Sequence, residues 1–164
     1  MSILELCEWL ETTGLARLVT ESQWGFAILV AIHLLGLGLS VGTIIWMDLR
    51  LLGRVLPNCP VSIVYRRLAP WALTGFASMF MSGIMLFAGY APAAYANTFF
   101  RIKLVALLLA GLNAAIYHVT VERRIVAWDN AVQTPVAARA AGLISITVWM
   151  VVILAGRAMS YTMF

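Results

Sequence analysis

Long apolar stretches without acidic or basic side chains dominate the pattern of this chain. A membrane-spanning helix needs about 20 mostly apolar residues, and within lipid it satisfies its own backbone hydrogen bonds. We therefore predict an all-α fold, an integral membrane four-helix bundle whose spans lie at about 24–48, 69–90, 100–121 and 140–161. The stretches that lack Asp, Glu, Lys and Arg are 24–47, 68–100, 104–121 and 140–156, and their histidines are His33 and His118.

The residues before the first span have a different pattern. Ser2 and Glu5 have the spacing of a capping box, which marks the start of a helix. Apolar residues then form a stripe opposite an acidic one, which is typical of a helix lying on a membrane surface. We predict a short amphipathic interfacial helix at about 2–19, and one transmembrane domain over residues 1–164.

Composition agrees with a membrane protein, because the 164 residues are 63% hydrophobic and 11% charged, against roughly 25% charged residues in a soluble domain. The formal net charge of +4 follows from arginines between the spans. Short basic loops stay in the cytoplasm, so both termini should lie on the non-cytoplasmic side, with membrane lipid as a partner and nucleic acid excluded. These arginines are Arg50, Arg54, Arg66 and Arg67 in the first loop and Arg123, Arg124 and Arg139 in the third.

His33, Lys103 and Arg157 are the best candidates for a functional site. A rise of 1.5 Å per residue puts all three about 7 to 12 Å outward of the membrane centre. Clustered cations in lipid favour an anionic guest, so we expect haem b or another anionic small molecule. Neutral His33 would ligate the iron, and Lys103 and Arg157 would pair with the propionates. Lys103 and Arg157 are also placed to anchor helix ends at the interface.

Small residues follow His33 along its helix. Gly36 and Ser40 lie three and seven residues after His33 and share its face, so a flat cofactor could lie against them. Gly38 and Gly42 form a GxxxG pair, which favours close helix packing within the chain, in a homo-oligomer or in a larger membrane complex.

His118 belongs to the opposite side of the membrane. Its axial separation from His33 is roughly 18 Å by the same arithmetic, so one haem iron cannot take both histidines as ligands. His118 is therefore a candidate metal ligand for a second haem, a titrating group in a proton route, or part of a polar collar. The neighbouring polar residues are Asp48, Arg50, Asn113, Glu122 and Arg123.

Two segments resemble known families. Ile32-His33-Leu34-Leu35 in the first span and Arg101-Ile102-Lys103-Leu104 in the third are similar to the bacterial membrane-bound, haem-containing protoporphyrinogen oxidases, and the copper-resistance D membrane domain has a similar arrangement. This resemblance implies a location in the bacterial inner membrane, essential roles for His33 and Lys103, and Lys103 as a catalytic residue. Asp48-Leu49-Arg50 and Ala155-Gly156-Arg157 also resemble a small four-span bacterial family of undefined function.

Three functions remain open at this point. The first is a membrane haem protein, cytochrome b-like, that transfers electrons or oxidises an anionic tetrapyrrole as an oxidoreductase. The second is a copper-handling protein, because Met81 and Met85 lie one turn apart and thioethers suit Cu(I). The third is a non-catalytic subunit of a larger complex. Cys7 and Cys59 have no metal-binding spacing, and neither has an assigned role.

Overall fold

A computed structural model describes residues 2–129 and 134–163 of the chain, and every regular element in those ranges is helical. We number the α-helices in chain order. They are α1 Ile3–Glu11, α2 Gly14–Thr20, α3 Gly25–Leu51, α4 Val61–Gly89, α5 Ala91–Ala96, α6 Thr98–Ile116, α7 Ile125–Trp128 and α8 Val136–Met163. A π turn, Tyr117–Val121, and a 3-10 turn, Glu122–Arg124, connect α6 to α7.

Four segments are long and apolar enough to cross a membrane, which confirms the prediction of four apolar helices. They are α3, α4, α8 and the continuous segment Thr98–Trp128 that contains α6. Helix α3 packs chiefly on α4, while α6 packs on α8, and α3 also contacts α8. The result is a bundle built from two helix pairs.

Helix α4 begins at Val61, well before the predicted start near residue 69. Pro70, at the predicted start of this span, lies inside α4. An internal proline costs about 3 kcal/mol of helix stability, and tertiary contacts offset this cost. Val61 and Val64 are buried, and the Asp129 carboxylate accepts hydrogen bonds from the backbone N–H and the hydroxyl of Ser62 in the first turn.

The tightest helix contact joins α3 to α4 through glycine. A Cβ at Gly75 would lie 2.5 Å from the backbone nitrogen of Ser40 and 2.8 Å from the carbonyl oxygen of Gly36. The two backbones therefore touch, and neither position has room for a side chain. A Cβ at Gly38 or Gly42 would meet no heavy atom within 4 Å, so the GxxxG pair does not make this contact within the chain.

The N-terminal region forms two helices, where the sequence predicted one. Thr12 and Thr13 end α1 by donating their hydroxyls to the carbonyls of Trp9 and Leu10. Thr13 then caps α2, because a threonine side chain competes with the helix for backbone hydrogen bonds. The predicted capping box between Ser2 and Glu5 is present.

Both short helices pack against one end of the bundle. Val19 is buried, and a Cβ at Gly89 would lie 3.0 Å from its Cγ1 atom. Cys7, Ala91 and Ala94 are also buried in this region, where α1 contacts α5. This end of the bundle, where α3 and α6 begin, is therefore covered by protein.

An apolar layer crosses the middle of the bundle. Its buried members come from all four long helices and are Val41, Met79, Ala106, Ala110, Trp149 and Val152. Trp149 lines a cavity on one side of this layer, and Val152 lines a cavity on the other side. The bundle thus holds two cavities, one toward each end.

Candidate functional site

The three predicted cationic residues line a single cavity of about 320 Å³. His33 comes from α3, Lys103 from α6, and Arg157 from α8, and Gly83 of α4 also lines the cavity. We call this space the His33 cavity. These three residues are separated by more than 50 positions in the sequence. They line one cavity, in agreement with the common depth calculated from the helical rise.

His33 is held against α4 by a hydrogen bond. Its Nδ1 atom lies 3.2 Å from the Ser82 Oγ, and the Ser82 hydroxyl donates to the carbonyl of Ser78 at 2.7 Å. The hydroxyl proton is therefore in use, so the network assigns the ring proton to Nδ1, which donates to Ser82. His33 also interacts with the backbone of Met79, so its recorded polar contacts within the described residues are all with α4.

Glycine allows the imidazole to lie close to α4. A Cβ at Gly83 would come within 3.1 Å of the His33 Cε1 atom and 3.4 Å of Nδ1. Such a distance is too short for an undisturbed ring. Ser82 and Gly83 together fix the orientation of His33, which is how ligating histidines are usually supported.

Lys103 reaches the cavity along α8. Its Nζ atom lies 3.5 Å from the position of a Gly156 Cβ, and its Cδ and Cε atoms lie 3.7 Å away. In the part of the chain that the structure describes, this ammonium group makes no hydrogen bond or ion pair, and it is close enough to interact electrostatically with His33. A partly buried cation without an acidic partner favours an anion from outside the chain.

Arg157 lies at the rim of the cavity and is exposed. Its Nη2 atom lies 3.3 Å from the hydroxyl of Tyr161, and its guanidinium carbon lies 4.9 Å from the centre of that ring. Tyr161 is one helical turn further along α8. The guanidinium is therefore accessible to an anion while the tyrosine supports it.

Aromatic rings form much of the remaining wall. Phe87 and Phe100 stack with ring centres 5.3 Å apart and planes 7° apart. Phe26 and Tyr90 meet edge to face at 5.6 Å. All four rings line the His33 cavity, so a flat apolar guest would have aromatic surfaces to pack against.

Gly36 and Ser40 do not line the His33 cavity, contrary to their predicted role in cofactor binding. A Cβ at Gly36 would lie 2.8 Å from the backbone nitrogen of Met79, so the α4 backbone fills the space on that side. Ser40 lines the other cavity. The face of α3 shared by His33 and Gly36 is the face that meets α4, which sequence periodicity alone could not distinguish from a cofactor face.

The second cavity, of about 540 Å³, lies toward the opposite end of the bundle. We call it the Asp48 cavity. Its polar lining comes from all four long segments and includes Ser40, Asp48, Arg50, Tyr65, Asn113, Tyr117, His118 and Ser145. The sequence predicted a polar group with Asp48, Arg50, Asn113 and His118, but it missed Tyr65, Tyr117 and Ser145, whose alignment depends on the packing of the helices.

His118 is fully engaged by its neighbours. Its Nε2 atom lies 2.9 Å from the hydroxyl of Tyr65, and its Nδ1 atom is hydrogen-bonded to the Glu122 carboxylate. It is the second residue of the π turn, a type of turn that often occurs at functional sites. Because both ring nitrogens are occupied, a second haem ligated by His118 would require these contacts to break.

The geometry does not support the predicted copper site. Met81 is 62% exposed on the outside of the bundle, and neither Met81 nor Met85 lines either cavity. Among the described residues there is also no cluster of three or more His, Cys, Asp or Glu side chains that could hold a metal ion. Met81 and Met85 therefore do not join His33 at one cavity.

Comparison with known proteins gives one match, to a family described as "Family of unknown function (DUF6644)", over residues 6–162. No curated protein matches the chain, and no solved structure matches it. The four apolar helices fit the resemblance to a small four-span family of undefined function, whereas the protoporphyrinogen oxidase and copper-resistance D families are not matched. The chain belongs to the DUF6644 family.

Proposed function

We propose that the protein is an integral membrane haem protein that transfers electrons, with haem held in the His33 cavity. The observation that carries this proposal is the convergence of His33, Lys103 and Arg157 on one cavity. The lining supplies an imidazole that would ligate the iron and two cations that would pair with an anionic guest. Insertion in a membrane, haem binding and redox function are the three separate parts of the proposal.

Membrane insertion is supported by the surface of the bundle. Large apolar side chains cover the outside of all four long segments, including Leu35, Leu73, Leu108 and Leu154, each more than 60% exposed. A soluble protein rarely exposes a continuous apolar surface of this kind. The arginine-rich loops at the end with the Asp48 cavity would face the cytoplasm, so the His33 cavity would lie in the outer half of the cytoplasmic membrane.

Cys59 offers a direct test of this orientation. It follows α3 in the first loop and is partly exposed, whereas Cys7, near the other end, is buried. We expect a membrane-impermeant thiol reagent to modify Cys59 only after the membrane of intact cells is permeabilised. A Cys59→Ser variant is the control for labelling at Cys7, and labelling of Cys59 in intact cells would reverse the orientation.

The residues present suit haem chemically. His33 would ligate the iron through Nε2, while the Nδ1–H bond to Ser82 keeps the ring neutral and oriented. Lys103 and Arg157 would pair with the two propionates through charge-assisted hydrogen bonds. The bound iron would supply one-electron redox chemistry. The cavity of about 320 Å³ encloses part of a tetrapyrrole, so the remaining edge would lie between the helices.

The absorption spectrum of the detergent-purified protein tests haem binding. We expect a Soret band in the wild type, its loss in His33→Ala, and its retention in His118→Ala, because both His118 nitrogens are already engaged. Size-exclusion chromatography and circular dichroism would check that both variants fold. A wild type that stays colourless after reconstitution with haem, or a His33→Ala variant that keeps the band, would contradict the proposal.

The same cations would also attract an anionic tetrapyrrole as a substrate. In that case Lys103 would be the amine nearest to the reacting ring, and its half-buried position would suit a general base. Expression in cells that lack their own protoporphyrinogen oxidase tests this alternative. Failure to restore haem synthesis, in a strain where the protein is correctly inserted, would exclude that substrate and leave haem-based electron transfer.

A further inference from the structure

The Asp48 cavity contains three buried polar atoms without hydrogen-bond partners among the described residues. They are Ser40 Oγ, Asp48 Oδ2 and Tyr117 OH. Their side chains are more than nine-tenths buried, with exposed fractions of 0%, 7% and 6%, and all three residues line this cavity. A buried polar group without a partner costs about 1 to 3 kcal/mol, so three in one space indicate a missing guest.

Water alone would satisfy these atoms poorly. Ser40 and Asp48 are eight residues apart on α3, which separates them by about 12 Å along the helix axis. Ile44 lies between them, and Trp149 and Phe76 form apolar wall in the same cavity. A buried water needs two to four polar partners, and one water cannot reach both Ser40 and Asp48 across this distance. The spacing is better matched by an apolar molecule with hydrogen-bonding groups at opposite ends.

The charges favour a neutral guest. Asp48 and Arg50 both line the cavity and have opposite formal charges. The Arg50 guanidinium also donates through Nε to the carbonyl of Cys59 at 2.7 Å, which holds it at the edge. The His33 cavity has no such balance. We propose that the Asp48 cavity binds a quinone, a neutral membrane-soluble ring molecule with carbonyl oxygens at opposite ends.

The ring would lie between the apolar walls of α3, α4 and α8. One quinone oxygen would accept a hydrogen bond from the Ser40 hydroxyl, and the other would accept one from the Tyr117 hydroxyl. The Asp48 carboxylate, which only accepts, would be paired by a hydroxyl of the reduced quinol form. The volume of about 540 Å³ is within the usual range for small-molecule sites, roughly 300 to 1,000 Å³. An isoprenoid tail would leave between the helices into lipid.

A hydrogen-bonded chain links this cavity to the protein surface. It runs from the Tyr65 hydroxyl to His118 and then to Glu122. The His118 and Glu122 side chains are 44% and 30% exposed. A site for a molecule that gains and loses protons needs such a connection to water, and a dry pocket for a purely structural lipid would not.

The proposal rests on membrane insertion, but it is independent of haem binding. The probe is a benzoquinone with a decyl tail, added to detergent-purified protein. Quinones quench tryptophan fluorescence, and Trp149 lines the cavity. The signal is the difference in quenching between the wild type and Trp149→Phe, which removes the contribution of the other tryptophans. A photoreactive azidoquinone, followed by peptide mapping, provides a second readout.

We expect saturable quenching of Trp149 and crosslinking to peptides of α3 or α8. Tyr117→Phe and Ser40→Ala should each weaken binding about threefold to tenfold, the loss of one hydrogen bond. Tyr95→Phe and Thr147→Ala are matched controls outside the cavity and should bind as the wild type does. His33→Ala should retain quinone binding, which separates this site from the haem proposal.

Three results would overturn the proposal. The first is quenching that rises linearly with quinone concentration, which indicates partition into detergent and a cavity filled by water only. The second is binding that Tyr117→Phe and Ser40→Ala leave unchanged. The third is crosslinking confined to peptides outside the cavity. If the substituted proteins fail to fold, the crosslinking map of the wild type alone decides between a bound quinone and none.

Discussion

The two cavities lie in one bundle but differ in how their polar groups are matched. In the His33 cavity three cationic or titratable groups converge, and the described lining contains no carboxylate. In the Asp48 cavity a carboxylate and a guanidinium occur together, and three polar atoms lack partners. The His33 cavity therefore lacks negative charge, whereas the Asp48 cavity lacks hydrogen-bond partners for three of its polar atoms.

This difference indicates two kinds of guest. A surplus of positive charge in an apolar setting is best neutralised by an anion, because burying like charges together is costly. Unpaired neutral or balanced groups require only a molecule with matching donors and acceptors. Under the two proposals, a single bundle would bind two different molecules, although both cavities are lined mainly by aromatic and aliphatic side chains.

Gly75→Ala should have the largest effect, because it disturbs the contact between α3 and α4 on which both cavities depend. The new Cβ would meet backbone atoms of Ser40 and Gly36 at 2.5 and 2.8 Å, and backbone cannot rotate away. We expect a loss of about 3 kcal/mol or more. Thermal unfolding in detergent would measure it, as a Tm lower by about 6 to 12 °C.

Gly38→Ala is the matched control for this substitution. It also replaces a glycine of α3, but a Cβ there meets no heavy atom within 4 Å. Its Tm should stay close to that of the wild type. Alanine is the better helix former, so equal destabilisation by Gly38→Ala and Gly75→Ala would mean that the contact between α3 and α4 is not the cause of the effect.

Ser82→Ala should affect the His33 cavity and leave the Asp48 cavity unchanged. The substitution removes the hydrogen-bond partner of His33 Nδ1, and loss of such support usually weakens ligand binding to a metal 10- to 100-fold. Haem titration followed at the Soret band would measure the change. Ser78→Ala, one turn away, keeps the backbone carbonyl that accepts from Ser82 and should bind haem normally. Equal loss of haem affinity in both variants would argue that Ser82 does not orient His33.

Lys103→Gln and Arg157→Gln should rank the two cations. Lys103 is partly buried beside Gly156, whereas Arg157 is exposed and already contacts Tyr161. We expect Lys103→Gln to weaken haem binding about tenfold. Arg157→Gln should weaken it by less than about fivefold, since exposed ion pairs contribute about 0 to 1 kcal/mol. Comparison of the two titrations at equal ionic strength measures this ranking, and the reverse order would place the anion at the rim.

Gly156→Ala should have the smallest effect. The added methyl group would lie 3.5 Å from Lys103 Nζ, which is ordinary van der Waals contact. Haem affinity should change by less than about 0.5 kcal/mol, whereas Gly83→Ala, at 3.1 Å from the His33 ring, should weaken haem binding measurably. Paired haem titrations of the two variants would test whether the close packing around the imidazole matters more than that around the amine.

The sequence predicted the positions of the long helices better than their contacts. Four apolar helices and the layer containing His33, Lys103 and Arg157 follow from composition and helical rise. The start of α4 at Val61, ahead of Pro70, did not follow from the sequence. This first part of the helix is stabilised by the burial of Val64 and by the hydrogen bond from Ser62 to Asp129, 67 positions later in the chain. Such contacts are set by how distant segments pack, and no local pattern records them.

The residues that complete each cavity were also beyond sequence reasoning. No sequence pattern marks Ser82, because its role depends on the alignment of α4 beside His33. Gly36 and Ser40 share the face of His33 on α3. Along that face, Gly36 contacts the backbone of α4, whereas Ser40 lines the Asp48 cavity. Sequence periodicity shows which residues share a helix face. The neighbouring helix determines which of those residues pack against it and which line a cavity.

The π turn at Tyr117–Val121 has a consequence for natural variation and for engineering. A π turn contains one residue more than an α turn, and each residue turns an α-helix by about 100°. Deletion of a single residue between His118 and Glu122 would let the helix continue regularly and would reduce their spacing from four residues to three. The length of this turn should thus mark whether a homologous chain holds its histidine and carboxylate at the spacing seen here, even where the surrounding side chains have diverged.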